Sequence, residues 1–448
     1  MRINRFRVKE AMSKKGIVTQ TELATLLDIN KQQLSVMLSP KFDPIKSNVR
    51  KLCDVLEVSS TFLLREEDEQ FEFQETKKGS PLDFLITYPD KPTGIRTLEL
   101  FAGAGGLALG LELAGLTHEA LIEIDKAACE TLEQNRPHWN VINDDVKKID
   151  FTQFKGIDVV TGGFPCQAFS YAGKKLGFDD VRGTMFFEFA RAIKEIKPKM
   201  FIGENVRGLI NHDNGRTLNT IMHILKNELE LEYDVRFEVL NAVNYGVPQK
   251  RERVIIVGTL PEYEFNFDFL KPEDHIVTLK DALYNVPKSE GIQYSVNRKR
   301  IMDLVPPGGC WRDLPLEVQK EFMGKSYYSG GGRTGMARRL SWNEPSLTLT
   351  TSPSQKQTER CHPDETRPFT VREYARIQTF PDYWGFCGNI GDKYKQIGNA
   401  VPVRLAYKLG KAIIQTLQNK KPNISHFVSD LDSQLELDLE TEKAVLLS

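Results

Sequence analysis

Residues Leu98–Gly110 read LELFAGAGGLALG and bring together an apolar strand, a glycine-rich loop and the start of a helix. In an open parallel sheet, such a loop lets a nucleotide-like ligand approach the backbone at the N-terminus of a helix. Glycines here also suit tight packing of a helix on a strand, so the loop alone supports either interpretation. Further along, IEID places Glu123 at the end of the next strand, where a carboxylate can accept hydrogen bonds from ribose hydroxyls. Together the two features predict an adenosine-containing cofactor and do not separate NAD from S-adenosylmethionine.

Apolar strands and amphipathic helices alternate from residue 95 to residue 262. The strand candidates are RTLELFAG, HEALIEID, GIDVVTGGF, KPKMFIGEN and RVIIVGTL, with the helices AACETLEQN and MFFEFARAIKEIK between them. This alternation predicts an α/β fold, a doubly wound, Rossmann-like parallel sheet covered by helices on both faces. Residues 263–366 are expected to form a smaller, irregular lobe, and residues 367–426 to return to the first lobe. The acidic residues 427–448 are expected to be disordered.

The first 65 residues have the pattern of a small all-α domain. TQTELATLLDINKQQLSVMLSP has helical apolar spacing with a break at DIN, and NVRKLCDVLEV follows as a third helix. The arrangement resembles the helix-turn-helix of phage-repressor-type regulators, in which the second helix enters the major groove. Four side chains would then face DNA, namely Lys31, Gln32, Gln33 and Ser35. A helical dimerisation or docking module is the alternative, and residues 66–94 are expected to be a charged linker.

Charge is balanced over the whole chain but not along it. The sequence has 60 Lys and Arg against 61 Asp and Glu. Residues 1–65 and 291–372 are each net basic, whereas 66–76 and the tail from 427 are acidic. This distribution fits contact with a polyanion at two places, although solvated surfaces would give the same pattern. Without a membrane-length apolar run or a signal-peptide core, we expect a cytoplasmic protein.

Cysteine usage argues against disulfides and metal. The six cysteines lie far apart and form no CxxC pair, so free thiols are expected and no metal site is predicted. Cys166 stands out because GGFPCQAFS sets it in a loop directly after the strand-like DVVTGG. A buried, unreactive thiol is the ordinary interpretation of such a residue, and chemistry is the alternative.

Four stretches in sequence order decide between these alternatives. GGFPCQAFS, GENVRGL, YGVPQKRERV and YKQIGNAVP, together with FAGAGG and IEID, resemble the motifs of the DNA (cytosine-5) methyltransferases in order and rough spacing. The resemblance covers residues 95–262 and 366–418, and residues 263–366 lie where that family keeps its target recognition domain. It implies an S-adenosylmethionine-dependent methyltransferase fold and S-adenosylmethionine as the cofactor.

The resemblance also implies roles for individual residues. Carbon 5 of cytosine is a poor nucleophile, so a thiolate must first add to carbon 6, and Cys166 would be that nucleophile. Glu204 would share a proton with nitrogen 3, and Arg253 would face the 2-oxygen. Arg251 and Gln249 would support the pocket or the DNA backbone. A salt-bridged surface carboxylate at Glu204 and an exposed strand edge at the two arginines are the alternatives.

The resemblance to this family also implies a cofactor site. Phe101 would lie against the adenine edge, Glu123 would bind the ribose, Asp145 would accept from the adenine amino group, and Asn399 would face the methionine end. The remaining predicted cofactor residues are Gly103, Gly105, Gly106, Ile124 and Val146. Alternatively, Asn399 only ends a strand-like QIGN segment. Glu99, Ile124 and Asp144 depart from the family's usual aspartate, aromatic residue and glycine, which leads us to expect altered affinity but the same cofactor.

Base reading is expected from the second lobe. Arginine pairs bidentately with guanine, so Arg333, Arg338 and Arg339 beside the SGGG run are candidates for sequence readout, with phosphate contact as the alternative. The expected partners are double-stranded DNA and, without a stable complex, a restriction endonuclease; we expect a monomer on its target. A transfer RNA methyltransferase and a DNA-binding regulator with an inactive lobe are the competing hypotheses, with a nicotinamide dehydrogenase as a third.

Overall fold

The structure of the 448-residue chain is a computed structural model. It describes residues 82–165, 184–328 and 334–420 and, within the first 65 residues, 2–3, 8, 11–12, 15, 17, 19–30, 33–34, 37–38, 46–58 and 64–65. The chain divides into two compact units, Met1–Lys78 and Gly79–Ser448. Across these described ranges, no helix is both long enough and apolar enough to span a bilayer.

In the described part of the first unit, two helices and a short two-stranded ribbon have defined bounds. β1 (Arg2–Ile3) pairs antiparallel with β2 (Leu64–Arg65), and the helices are α1 (Gln20–Leu26) and α2 (Lys46–Leu56). After α1 the chain turns, and Asn30 and Gln33 bond each other reciprocally, because each backbone N–H donates to the side-chain oxygen of the other. Such a pair is a helix-starting capping box. Buried apolar side chains from both sides of the turn, including Leu23, Leu34 and Leu52, form one small core.

The second unit is an α/β domain. Its strands are β3 (Arg96–Leu100), β4 (Thr117–Glu123), β5 (Val141–Asn143), β6 (Val159–Gly162), β7 (Met200–Val206), β8 (Asp234–Asn241), β9 (Gln249–Lys250), β10 (Glu252–Thr259) and β11 (Ser346–Leu347). Its α-helices are α3 (Gly106–Leu113), α4 (Lys126–Asn135), α5 (Met185–Ile196), α6 (Arg216–Asn227), α7 (Leu279–Ala282), α8 (Val296–Asp303), α9 (Leu316–Met323), α10 (Val371–Ile377), α11 (Ile390–Asn399) and α12 (Val403–Gln418).

Seven strands form the central sheet in the order β5-β4-β3-β6-β7-β10-β8. The five strands from β5 to β7 are parallel, as predicted, but β10 runs antiparallel to both of its neighbours. The expectation of a wholly parallel sheet is therefore wrong at this edge. The apolar pattern of RVIIVGTL marks a buried strand, but it carries no information about the direction in which that strand runs.

Helices cover both faces of the sheet. On one face α3 and α12 pack on side chains such as Val159 and Ile255, and on the other α5 and α6 pack on side chains such as Val160 and Ile256. α3 and α12 approach closely, since a Cβ on Gly110 would lie 2.3 Å from the Cβ of Ala406. This two-sided cover confirms the doubly wound α/β architecture.

The boundaries of the linker and of the second lobe differ from those expected. Residues 82–94 belong to the second unit: Phe84 is buried, and Asp90 accepts a hydrogen bond from the Tyr407 hydroxyl at 2.9 Å. Phe265 and Leu279, expected in the second lobe, belong to the cores beside the sheet. A separate small core, formed by residues between 301 and 361, marks the second lobe. Apolar side chains inside these charged or irregular stretches determine where they pack.

Candidate active site

The glycine-rich loop after β3 combines close packing with one open side. A Cβ on Gly105 would lie 2.6 Å from Cδ2 of Leu132, and one on Gly106 would lie 2.2 Å from the carbonyl oxygen of Val401. A Cβ on Gly103, whose φ is +55°, would meet no atom within 4 Å. Tight packing therefore accounts for Gly105 and Gly106, whereas the open side of Gly103 leaves room for a ligand.

Glu123 ends β4 and is held by backbone N–H groups. Its Oε2 accepts from Gly103 N at 2.8 Å, and its Oε1 accepts from Ile124 N at 2.8 Å and Asp125 N at 2.7 Å. Three donors fix the carboxylate: Oε1 accepts two of these bonds and Oε2 accepts one, so Oε2 retains acceptor capacity. Ile124 beside it is 68% exposed, so its side chain is accessible next to the carboxylate.

One cavity of about 440 Å³ joins this loop to the ends of β7 and β10. Its lining includes Glu99, Phe101, Gly103, Gly106, Glu123, Ile124, Asp125, Gly163, Phe164, Pro165, Glu204, Asn205, Val206, Arg251, Arg253, Lys395, Gln396 and Asn399. The volume lies within the range of small-molecule and cofactor sites. The structure thus brings predicted cofactor residues and predicted catalytic residues to a single cavity.

Glu99 is an acid buried in the wall of this cavity. It is 2% exposed, and its Oε2 has no hydrogen-bond partner among the described residues. Burial raises the pKa of Glu99 well above its usual value; a bond from the Ala108 backbone opposes the shift and the charge of Glu123 adds to it. An unpartnered buried acid fits a ligand that brings a cation or a hydrogen-bond donor, and S-adenosylmethionine has both.

Glu204 and Arg253 form an ion pair at the other end of the cavity. Glu204 lies on β7 and Arg253 on the neighbouring β10, and Arg253 Nε is 2.6 Å from Glu204 Oε1. The two side chains are only 12% and 10% exposed. The alternatives of a surface carboxylate and an exposed strand edge are therefore wrong for this pair.

The loop that leads to Cys166 lies against this pair. Gly163, Phe164 and Pro165 line the cavity, and a Cβ on Gly163 would lie 3.1 Å from Glu204 Oε2. Asn205 is buried and donates from Nδ2 to the Phe164 carbonyl oxygen at 2.8 Å, which anchors the loop. Cys166 itself, the next residue, lies outside the described residues.

Arg251 and Gln249 are interior residues. Arg251 is 1% exposed and donates to the carbonyl oxygens of Leu349, Gly398 and Ala400. Gln249 is fully buried and does not belong to the lining of the described cavity. Contact between either residue and a DNA backbone is excluded by this burial. Both tie β9 and the start of β10 to the C-terminal return of the chain, so they position the site rather than touch a substrate.

Asn399 lines the cavity from the last turn of a helix. The expectation of a strand-like QIGN segment is wrong, because α11 begins at a capping box between Asn389 and Asp392 and continues to Asn399. Sequence reasoning also missed Lys395, which lies one helical turn before Asn399 and lines the same cavity. The i, i+4 spacing of a helix would have identified it.

Three predicted cofactor residues lie apart from the cavity as described. Asp145 and Val146 are absent from its lining, as is Gly105. Asp145 caps a 3₁₀ turn, where its Oδ1 accepts from Lys147 N at 3.0 Å, and Val146 is buried. In this structure both therefore shape the end of β5.

The arginines proposed for sequence readout differ from one another. Arg339 is 4% exposed, and its terminal nitrogens donate to three backbone carbonyls and to Thr366 Oγ1. The prediction that Arg339 reads DNA is wrong, because these internal acceptors occupy the guanidinium. Arg338 is half-buried, and its Nε has no partner among the described residues. Arg333 lies outside the described residues.

Of the four predicted DNA-facing residues in the first unit, the structure describes one. Gln33 is exposed, and its side-chain oxygen accepts from Asn30 N at 2.9 Å in the capping box. Its side chain therefore serves the start of a helix. Lys31, Gln32 and Ser35 lie outside the described residues.

Comparisons with known proteins agree with this site. Residues 95–415 match the family model of C-5 cytosine-specific DNA methylases. The type II methyltransferase M.Sau96I of Staphylococcus aureus is 51% identical over 93% of this chain and 99% of that protein. The type II methyltransferase M.Eco47II of Escherichia coli is 61% identical over 71% of this chain and 79% of that protein.

A solved structure supports the fold alone. The S. pombe Dnmt2 methyltransferase superposes with a TM-score of 0.52 at 16% identity, covering 72% of this chain and all of that one. The family match spans most of the chain and includes every strand that contributes to the cavity. The chain belongs to the C-5 cytosine-specific DNA methylase family.

Proposed function

We propose that the chain methylates carbon 5 of a cytosine in duplex DNA through a covalent adduct with Cys166. The observation that carries the proposal is the buried Glu204–Arg253 ion pair, which lies against the loop leading to Cys166. Family membership gives the reaction class, and the cavity provides room for a base and a cofactor side by side.

The residues present fit S-adenosylmethionine. Glu123 would accept from the ribose hydroxyls, Phe101 and Ile124 would contact the adenine, and Asn399 would face the amino-acid end. Glu99 offers an acidic oxygen without a partner. When bound, S-adenosylmethionine supplies an electrophilic methyl group on a sulfonium.

The protein groups then act on the cytosine. The Cys166 thiolate adds to carbon 6 and breaks the 5,6 double bond, which makes carbon 5 nucleophilic. Glu204 shares a proton with nitrogen 3 and Arg253 faces the 2-oxygen, so both stabilise the negative charge that addition places on the ring. After transfer, loss of the proton from carbon 5 restores the double bond and expels the thiolate.

Duplex DNA adds two requirements. A stacked cytosine cannot reach a cavity wall, so the base must be flipped out of the helix. The second lobe would read the flanking sequence, with Arg338 as the described candidate and Arg333 as a further one. Arg339 is no longer included, since internal acceptors occupy it.

Bisulfite sequencing tests the proposal. Plasmid DNA from cells that express the chain should contain protected cytosines in one short recurring context, and the Cys166→Ala variant should give none. Absence of protected cytosines in both samples, from folded protein that binds S-adenosylmethionine, would contradict DNA methylation. Transfer RNA from the same cells would then be sequenced, because RNA is the competing substrate.

The proposed cellular role is the methylating half of a restriction–modification pair, in the cytoplasm and without a stable complex with the endonuclease. Two similar proteins are type II methyltransferases, which supports this role. Plasmid modified in vivo should resist the endonuclease encoded beside the gene, whereas plasmid from the Cys166→Ala strain should be cut. Light scattering on the complex with a short duplex tests whether the enzyme is a monomer on its target.

A second proposed role belongs to the first 65 residues, which would bind operator DNA as a helix-turn-helix and repress the operon. The capping box of Asn30 and Gln33 and the small apolar core support a helical domain there. A gel shift of the full chain on its upstream DNA, with unrelated DNA as competitor, should give a selective complex. A chain without residues 1–65 should lose that complex and keep methylation; equal binding to both DNAs would contradict the role.

A further inference from the structure

The cavity lining contains more negative charge than free positive charge. Its acids are Glu99, Glu123, Asp125 and Glu204, and its described cations are Arg251, Arg253 and Lys395. Backbone carbonyls hold Arg251, and Arg253 is paired with Glu204 at the end of the cavity that the proposed function assigns to the cytosine, so among the described cations of the lining Lys395 is left for the cofactor.

Lys395 differs from both arginines. Its side chain is 55% exposed, and its Nζ lies 2.8 Å from Asp125 Oδ2 across the mouth of the cavity. The other oxygen of Asp125 accepts from the backbone of α4, at Ala127 N and Ala128 N, which fixes this partner in place. A salt bridge as exposed as this one contributes little to stability. It therefore orients the Lys395 ammonium group, and a ligand can replace Asp125 as its partner at little energetic cost.

Lys395 also occupies the same face of α11 as Asn399. Residues four apart on a helix lie one above the other, and both of these are exposed and line the cavity. The Asn399 amide makes no hydrogen bond to another described residue. One face of α11 therefore presents an amide and an ammonium group to whatever lies between them and Glu123.

We propose that Lys395 is a cofactor-positioning residue that binds the carboxylate of the amino-acid end of S-adenosylmethionine. This assignment rests on the proposed function, since it requires that cofactor. The acidic side chains of the lining attract the ammonium and sulfonium groups of S-adenosylmethionine. Lys395 binds its carboxylate, which is its one anionic group. Before the cofactor binds, Asp125 orients the Lys395 ammonium group beside the cavity. This ammonium group has three N–H donors, so it can keep one bond to Asp125 while another donor binds the carboxylate.

Calorimetric titration with two ligands tests the assignment. S-adenosylmethionine and its decarboxylated form differ only in the carboxylate. The Lys395→Gln variant should bind S-adenosylmethionine about fivefold to tenfold more weakly than the wild type, the range of an exposed charge-assisted contact. It should bind the decarboxylated form as the wild type does, and Lys395→Arg should recover most of the lost affinity.

The matched control is Lys393→Gln, on the same helix and paired with Glu290 outside the cavity. It should bind both ligands like the wild type. Equal weakening of both ligands by Lys395→Gln would overturn the assignment and identify the Asp125 contact as purely structural, and no weakening of either would overturn it as well. A wild type that fails to bind S-adenosylmethionine would instead contradict the proposed function.

Discussion

The two ends of the cavity differ in whether their acidic side chains are paired with a cation. At one end Glu204 has a guanidinium 2.6 Å away, and both groups are shielded from solvent. At the other end Glu99 is buried with an unpartnered oxygen, and Glu123 is held by backbone N–H groups. The first end pairs its acid with a cation, whereas neither Glu99 nor Glu123 at the second end forms a salt bridge with a described residue. The proposed function assigns the paired end to the cytosine and the unpaired end to the cofactor.

Removing the cation from the paired end should have the largest effect. Arg253→Met should lower the rate of methyl transfer by about 10²- to 10³-fold, because the variant loses a fixed donor that faces developing charge. Single-turnover transfer of labelled methyl to duplex DNA measures the rate. S-adenosylmethionine affinity serves as the control and should stay within about twofold of the wild type. A rate near that of the wild type, from folded protein, would remove Arg253 from the reaction.

The second lobe repeats the contrast with Arg339, whose terminal nitrogens have internal acceptors, and Arg338, whose side chain has no hydrogen bond to another described residue. Arg339→Met should lower the free energy of unfolding by about 2–4 kcal/mol, since three buried carbonyl groups lose their donor. Thermal unfolding measures the loss. Arg338→Met should stay within about 0.5 kcal/mol of the wild type, as expected for a side chain without such partners. Equal destabilisation by both substitutions would show that the internal hydrogen bonds of Arg339 make no measurable contribution to the free energy of unfolding.

Arg338→Met should act on DNA instead. If Arg338 reads a guanine, the variant should lose about 1–3 kcal/mol of discrimination at one position of the target, whereas phosphate contact would weaken all sequences alike and lower the salt slope by about one. Affinity for the target and for single-base variants, measured at several salt concentrations, separates the two. Unchanged DNA affinity in all of these titrations would contradict both roles.

Motif order brought residues from both ends of the cavity together. Glu123 and Glu204 each lie at or near the end of an apolar strand, and such ends meet at one edge of a parallel sheet. Arg253 lines the same cavity although β10 runs antiparallel, since it lies near the start of that strand, opposite the end of β7. The resemblance thus grouped these three residues without any knowledge of strand direction.

The features that the sequence did not predict depend on contacts between distant parts of the chain or on patterns that were interpreted differently. Arg339 is buried because the carbonyls of Met302, His362 and Pro363 converge on it from distant parts of the chain. β8 was missed because its exposed polar residues, such as Arg236 and Glu238, mask an edge strand. Lys395 was missed because QIGN was interpreted as a strand, which hid the helical spacing that joins it to Asn399.

The smallest expected effect concerns the unpaired end and depends on pH. Folding raises the pKa of Glu99 above its ordinary value of 4.5, so the folded chain binds this proton more tightly than the unfolded chain does. The contribution of Glu99 to the free energy of unfolding therefore falls as pH rises above about 4.5. The glutamine in Glu99→Gln does not ionise. The melting temperature of the variant, relative to that of the wild type, should therefore rise between about pH 5 and pH 8.

Glu133→Gln is the matched control, since Glu133 is exposed on α4, and its melting difference should stay flat over the same range. S-adenosylmethionine adds a second readout. Its ammonium and sulfonium groups favour the ionised form of a nearby acid, so the stabilisation it gives the wild type should grow with pH. In Glu99→Gln that growth should disappear. Parallel curves for the two proteins would mean that Glu99 keeps its proton beside the cofactor, and that recognition at this end depends on Glu123 and Lys395 alone.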